Sequence, residues 1–92
     1  MMLVLIVYDI PDNKRRTRLA KFLEGYGQRI QLSVFECYLS LKQMRQLYQK
    51  VESKVIATED DVRFYWLSSE AVSKVLTIGS KPPQAPPTYY VI

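Results

Sequence analysis

Hydrophobic and polar positions change their period several times along the chain, and each change predicts a new element. Residues 3–8 form an unbroken apolar run rich in β-branched types. Such a run is typical of a strand that is buried on both faces and therefore central in its sheet. Pro11 lacks an amide donor and holds Ile10 in an extended conformation. We therefore predict that the first strand ends at Asp9, with this carboxylate at the rim of the sheet.

The segment that follows has the period of an amphipathic helix. Asp12 or Asn13 supplies the N-cap, and Gly25 or Gly27 ends the helix. Its apolar positions recur at helical spacing. These positions are Leu19, Phe22, Leu23 and Tyr26.

Residues 28–39 alternate with a period of two, which predicts strands. The inward-facing set changes phase between Val34 and Phe35. A short strand, a tight turn or bulge at residues 31–33, and a second strand explain this change.

The second half of the chain predicts one more helix and two more strands. A capping box at residues 40–43 opens an amphipathic helix. Residues 62–67 then alternate as a strand, with Trp66 expected in the core, and residues 74–78 predict a further strand.

The resulting order is βαββαβ with an extra strand, which indicates one α+β domain over residues 1–80. The proline-rich residues 81–87 predict a stiff, extended arm. Residues 88–92 are apolar and β-prone, so they are expected either to pair as a strand with the edge of a partner subunit or to form a frayed tail.

The composition limits the chemistry. With 13 Lys and Arg against 9 Asp and Glu, the net charge of +4 leans toward a polyanionic partner. Histidine is absent, which excludes His-based general bases and the common zinc sites. Carboxylates with a hard metal ion are therefore the tools we expect if the protein is an enzyme.

The start of the chain and its cysteine content indicate a cellular compartment. The apolar stretch at residues 1–8 is short and lacks a basic leader, so we expect no membrane partner and a cytoplasmic location. The single cysteine, Cys37, fits a reducing compartment, and we expect a buried thiol there.

Basic residues cluster at the start of the first helix. Arg15 and Arg16 precede Leu19 by four and three residues, so they are expected on the sheet-facing side, near Asp9. Cations in a first helical turn oppose the helix dipole, and we interpret them as phosphate contacts. The alternative is a solvated basic face. The outward-facing basic residues of this helix are Lys14, Arg18 and Lys21.

Two further features have both a functional and a structural interpretation. Arg29 and Phe35 are suited to holding a phosphate and a base, although a phenylalanine in a strand is more often part of the core. The acidic residues 59–61 are suited to a cation, although such a cluster is more often a polar turn.

Taken together, these segments resemble the Cas2 family of CRISPR adaptation proteins, over nearly the whole chain in element order and length. The resemblance implies a ferredoxin-like fold and a homodimer. The last strand departs from the family pattern because the proline arm delays it. The segments that carry the resemblance are Tyr8-Asp9-Ile10, the basic helix start, and Arg29-Ile30-Gln31-Leu32-Ser33-Val34-Phe35-Glu36.

The resemblance also implies an activity and partners. In the family, Asp9 of each subunit meets its counterpart at the dimer interface around a divalent metal, usually Mg²⁺, to cleave phosphodiesters in RNA or DNA. The family also bridges dimers of the Cas integrase and holds the DNA fragment to be inserted as a spacer. The positions that match residues tied to activity or nucleic-acid contact are Tyr8, Arg16, Arg18, Arg29, Ser33 and Phe35.

The number of carboxylates that Mg²⁺ needs also favours a site shared by two subunits. One subunit offers a single well-placed carboxylate, which is too little to hold Mg²⁺ firmly, and two-fold symmetry doubles it. The alternatives are a structural Asp9 that caps a loop or pairs with Arg15, a non-catalytic DNA-binding scaffold, and a toxin-type ribonuclease on the same fold.

Overall fold

The first strand lies at the centre of the sheet, as its sequence predicts. The computed structural model describes residues 1–84 and contains four strands in the order β2-β3-β1-β4, each antiparallel to its neighbours. This order, with helices after β1 and β3, is the arrangement of the ferredoxin-like fold. The elements are β1 (Met2–Asp9), α1 (Asn13–Leu23), β2 (Gln28–Gln31), β3 (Val34–Leu39), α2 (Leu41–Glu52), β4 (Asp61–Leu67) and α3 (Ser69–Ser73).

The two faces of the sheet differ in burial. On β1, Val4, Ile6 and Tyr8 are buried against the helices, whereas Leu5 and Val7 on the other face are only half-buried. We call the second face the outer face of the sheet. The prediction that β1 is buried on both faces is thus confirmed in full for the helix side and in part for the outer side.

Both helices begin where the sequence predicts. The Asp12 side chain accepts a hydrogen bond from the amide of Arg15, and Ser40 forms a reciprocal capping box with Gln43. These contacts satisfy amides that have no partner within the helix. The apolar stripes of both helices enter the core. Their fully buried members are Leu19, Ala20, Leu23, Leu47 and Val51.

The β2–β3 hairpin confirms the predicted change of phase. The predicted tight turn lies at residues 32–33, and a bulge between Arg29 and Gln31 precedes it, slightly earlier than the predicted range. Phe35 and Cys37 then point into the core. Burial raises the pKa of the Cys37 thiol to about 12, so this cysteine is the inert buried thiol that we expect.

Two predictions for the later part of the chain are wrong. Trp66 is 40% exposed although its partner Val4 is buried, because it lies on β4, which is an edge strand of the described sheet. Residues 74–78 form no strand; Leu76 and Ile78 are fully exposed. β-Prone residues form a strand only against a neighbouring edge, and no described strand pairs with this segment. The segment between β4 and these residues forms the short helix α3.

The predicted arm and C-terminal strand, residues 81–92, lie mostly beyond the described residues. Residues 81–84 form no ladder, as expected of the proline-rich arm, and the predicted C-terminal strand at 88–92 lies outside the part that the structure describes. Within residues 1–84, no helix has the length and apolar character needed to cross a lipid bilayer.

Candidate functional site

Asp9 lies at the rim of the sheet, as predicted, and on its outer face. It is exposed at the end of β1 and stands directly opposite Asp61, the first residue of β4. Like charges at opposed positions on one face repel each other. Among residues 1–84, Asp9 has no hydrogen bond or ion pair that would neutralise it. An unpaired carboxylate beside a second one is suited to receiving a cation.

A shallow depression of about 80 Å³ opens beside Asp9. It is lined by Val7, Tyr8, Asp9, Asp61 and Arg63. Asp61 belongs to the acidic residues 59–61 that the sequence offers as suited to a cation, whereas Arg63 is a functional candidate that the sequence did not single out. Their place depends on the register of β4 against β1, two strands far apart in the chain, and no local signal reports such a register.

The Arg15 side chain is held by acidic residues other than Asp9. Its Nε and Nη2 atoms donate to Asp60 at 2.6 and 2.8 Å, and Glu59 lies 3.6 Å from Nη2. The alternative in which Asp9 pairs with Arg15 is therefore wrong. The hydrogen bond from Arg15 lowers the pKa of Asp60, which also accepts from the amide of Ile56. This pairing favours the structural interpretation for Glu59 and Asp60 of the acidic turn.

Arg16 folds over the loop that follows Asp9. Its Nη1 atom donates to the carbonyl oxygen of Ile10 at 2.8 Å, and Nη2 donates to the Asn13 side chain. Arg16 therefore lies near the strand end, as predicted. Arg18 is exposed on the solvent-facing side of α1, together with Lys14 and Lys21.

Three donors converge on the carbonyl oxygen of Leu32 in the β2–β3 turn. The Tyr8 hydroxyl lies 3.1 Å away, and Nε and Nη2 of Arg29 lie 3.1 and 2.6 Å away. The Arg29 guanidinium also stands 5.9 Å from the centre of the Phe35 ring. The Ser33 carbonyl accepts from the Tyr8 amide at 3.2 Å. These contacts bring four of the predicted nucleic-acid residues together around one turn.

Burial gives two of these residues a packing role. Tyr8 is 4% exposed and Phe35 is fully buried, with their ring centroids 6.4 Å apart. Burial raises the pKa of the Tyr8 hydroxyl, although Arg29 and Arg16 oppose the rise. Neither ring presents an exposed face in this structure. Direct contact of these rings with a nucleic acid stays a prediction.

The donor set at the outer face fits a hard metal ion only in part. Among residues 1–84, no group of three or more His, Cys, Asp or Glu side chains could hold a metal. Asp9 and Asp61 supply two carboxylates, which are the oxygen donors that Mg²⁺ prefers. The remaining ligands would have to come from water, a second subunit or a bound phosphate.

Sequence comparison with known proteins gives one consistent result. Residues 2–75 match the model of the family described as CRISPR associated protein Cas2. A Synechocystis protein named CRISPR-associated endoribonuclease Cas2 3 is 42% identical over 92 residues, covering 100% of both chains. A Thermus thermophilus protein named CRISPR-associated endoribonuclease Cas2 is 46% identical over 76 residues, covering 83% of this chain and 81% of its own.

Solved structures agree with the sequence matches. A Streptococcus pyogenes Cas2 structure determined at pH 6.5 is similar with a TM-score of 0.74 and 32% identity, over 85% of this chain and 100% of that one. A chain of a partial Cas6-RT-Cas1–Cas2 complex is similar with a TM-score of 0.76 and 31% identity, over 100% of both chains.

Proposed function

Because the chain belongs to the Cas2 family of CRISPR-associated proteins, we propose that it acts in spacer acquisition as a homodimeric, metal-dependent endonuclease on RNA, DNA or both. In the same proposal it bridges the Cas integrase and binds the DNA to be inserted. Two relatives named as endoribonucleases support the nuclease activity, and the similarity to a chain of a Cas1–Cas2 complex supports the partner.

The placement of Asp9 is the observation that carries the nuclease proposal. Its carboxylate is exposed, ends the central strand, and has no ion pair among the described residues. A structural aspartate would be expected to accept hydrogen bonds or to pair with a cation, as Asp60 does with Arg15. Asp9 is therefore available to a ligand.

The half-buried outer face supports a homodimer in this proposal. Leu5 and Val7 lie on it beside Asp9 and stay half-buried in one subunit. A second copy related by a two-fold axis would cover these side chains and bring a second Asp9 to the same place. The two subunits would then form one site between them.

In the proposed reaction, Asp9 of each subunit holds the metal ion, for which we propose Mg²⁺. When bound, such an ion polarises a phosphoryl oxygen and lowers the pKa of a coordinated water. Arg16 and Arg18 offset the negative charge of the nucleic acid from the adjoining loop and helix. Arg15 is the weaker phosphate contact, because Asp60 already occupies its guanidinium.

The proposal is tested by replacing Asp9 with an uncharged isostere. We expect Asp9→Asn to reduce Mg²⁺-dependent cleavage of single-stranded RNA and duplex DNA to background, with folding and nucleic-acid affinity nearly unchanged. Glu52→Gln, the same charge change at an exposed position of α2, is the matched control and should cleave like the wild type. Full activity of Asp9→Asn would overturn the catalytic proposal.

A second candidate function is a non-catalytic scaffold that grips duplex DNA within an integration complex. The exposed cations on α1 favour it, since Arg18 and its neighbours lie on one outward side. This candidate predicts that the purified wild type cleaves nothing above background. It also predicts that Arg16→Ala with Arg18→Ala weakens DNA binding and makes its salt dependence shallower.

A further inference from the structure

Arg63 lies on the outer face of the sheet beside Asp9. It stands opposite Val7 on the neighbouring strand, two residues beyond Asp61, and lines the same depression. Residues two apart on a strand share a face, so Asp9, Asp61 and Arg63 project to the same side.

Among the described residues that line this depression, two carry a negative charge and one carries a positive charge. Two carboxylates, Asp9 and Asp61, face each other, so a phosphodiester that approaches Asp9 meets like charge. The other arginines close to the strand end do not line the depression: Arg15 pairs with Asp60, and Arg16 donates to Ile10 and Asn13. Among the residues that line the depression in the described chain, Arg63 alone carries a positive charge.

The guanidinium of Arg63 is oriented but not fully occupied. Its Nε atom lies 3.6 Å from Oδ1 of Asp61, and Nη1 donates to the Tyr65 hydroxyl at 3.4 Å. Neither of these two contacts uses Nη2. The side chain stays 64% exposed. A planar guanidinium with free N–H groups is the side chain best suited to a bidentate contact with phosphate.

We propose that Arg63 is a phosphate-binding residue of the Asp9 site and takes a phosphodiester group of the nucleic acid that Asp9 acts on. Asp61 and Tyr65 position its guanidinium. This inference rests on the proposed function and adds to it a binding residue on β4. The ligand is the phosphodiester backbone, which RNA and DNA share.

The test compares Arg63→Gln with Arg45→Gln in the full-length protein. Arg45 is exposed on α2, on the helix side of the sheet, so its replacement makes the same charge change away from the depression. Binding of labelled single-stranded RNA and duplex DNA is measured at several salt concentrations. We expect Arg63→Gln to raise Kd roughly tenfold, as for loss of one charged hydrogen-bond donor. The slope of log K against log salt should fall by about 0.7 for single strands.

The outcomes separate this inference from the proposed function. If the wild type binds and cleaves while Arg63→Gln matches Arg45→Gln in both Kd and salt slope, the role of Arg63 is wrong and the Asp9 proposal stands. If Arg63→Gln turns a dimer into monomers, Arg63 is a subunit contact and the inference is also wrong. If Arg63→Gln does not fold, Arg63→Lys takes its place: weaker binding with an unchanged salt slope supports the inference, and wild-type affinity overturns it.

Discussion

The Arg15 guanidinium and the Asp60 carboxylate are joined by two hydrogen bonds, of 2.6 and 2.8 Å. This pair ties the first turn of α1 to the residue just before β4. Asp60 also accepts a hydrogen bond from the amide of Ile56, which stabilises the turn at residues 56–60 before β4. The pair thereby fixes the strand end at which Asp61 stands opposite Asp9.

The Arg15–Asp60 pair predicts a pH dependence of stability. The hydrogen bond from Arg15 lowers the pKa of Asp60 below its ordinary value. A lowered folded-state pKa stabilises the fold above the unfolded-state pKa of about 4, and this contribution is lost as the pH falls through the lower folded-state value. We expect Asp60→Asn to lower the Tm by a few degrees at pH 7, with the difference from the wild type shrinking below pH ~4.

The measurement is thermal unfolding followed by circular dichroism between pH 7 and pH 3. Glu70→Gln is the control, because Glu70 pairs with Lys74 on the surface at 3.0 Å, where both side chains are largely exposed. Exposed pairs contribute little, so its Tm should stay close to that of the wild type. A constant Tm difference between Asp60→Asn and the wild type at all pH values would contradict the prediction.

Two glycines next to β2 predict opposite responses to alanine. A Cβ atom at Gly27 would lie 2.5 Å from the Cys37 sulfur and 2.9 Å from the Cys37 Cα, in a packed part of the sheet. We expect Gly27→Ala to destabilise the fold by about 1–3 kcal/mol through overpacking. Denaturant unfolding measures this change.

Gly25 is the matched control for this substitution. A Cβ atom there would meet only the Phe22 carbonyl oxygen, at 3.5 Å, which is an ordinary contact. Because alanine restricts the unfolded chain, Gly25→Ala should be neutral or stabilising by up to about 1 kcal/mol. Equal effects of the two substitutions would show that the backbone near Gly27 does not approach β3 as described.

Tyr8→Phe separates a packing role from direct contact with nucleic acid. The substitution removes the hydrogen bond to the Leu32 carbonyl, which keeps its two donors from Arg29. We expect a loss of about 1 kcal/mol in the free energy of unfolding. RNA affinity should stay nearly unchanged, since Tyr8 is 4% exposed. A large loss of affinity in a stably folded Tyr8→Phe variant would instead support the direct contact that the family resemblance implies.

Local signals in the sequence predicted most of the fold. The apolar run before Asp9, the Asp12 cap and the Ser40 capping box each depend on neighbours a few residues away, and all three are confirmed. The errors concern residues whose environment is set by distant parts of the chain. Trp66 has the alternation of a core residue, but it lies on the edge strand β4 and is 40% exposed.

In the candidate site, too, features set by neighbouring residues were predicted and those set by distant residues were not. Asp9 was predicted because strand end, proline and charge are adjacent in the sequence. Asp61 and Arg63 join it only through the pairing of β1 with β4, and the partner of Arg15 is Asp60, far along the chain. Side-chain partners of this kind follow from tertiary register, which periodicity does not report.

The central claim is that Asp9 residues of two subunits form one catalytic site. The direct test is a heterodimer of one wild-type and one Asp9→Asn subunit, purified through two different affinity tags and assayed for Mg²⁺-dependent cleavage of single-stranded RNA. A shared site predicts cleavage near background, because the single site of the heterodimer has lost one of its two carboxylates. Half of the wild-type rate would contradict the claim, since each subunit would then cleave on its own.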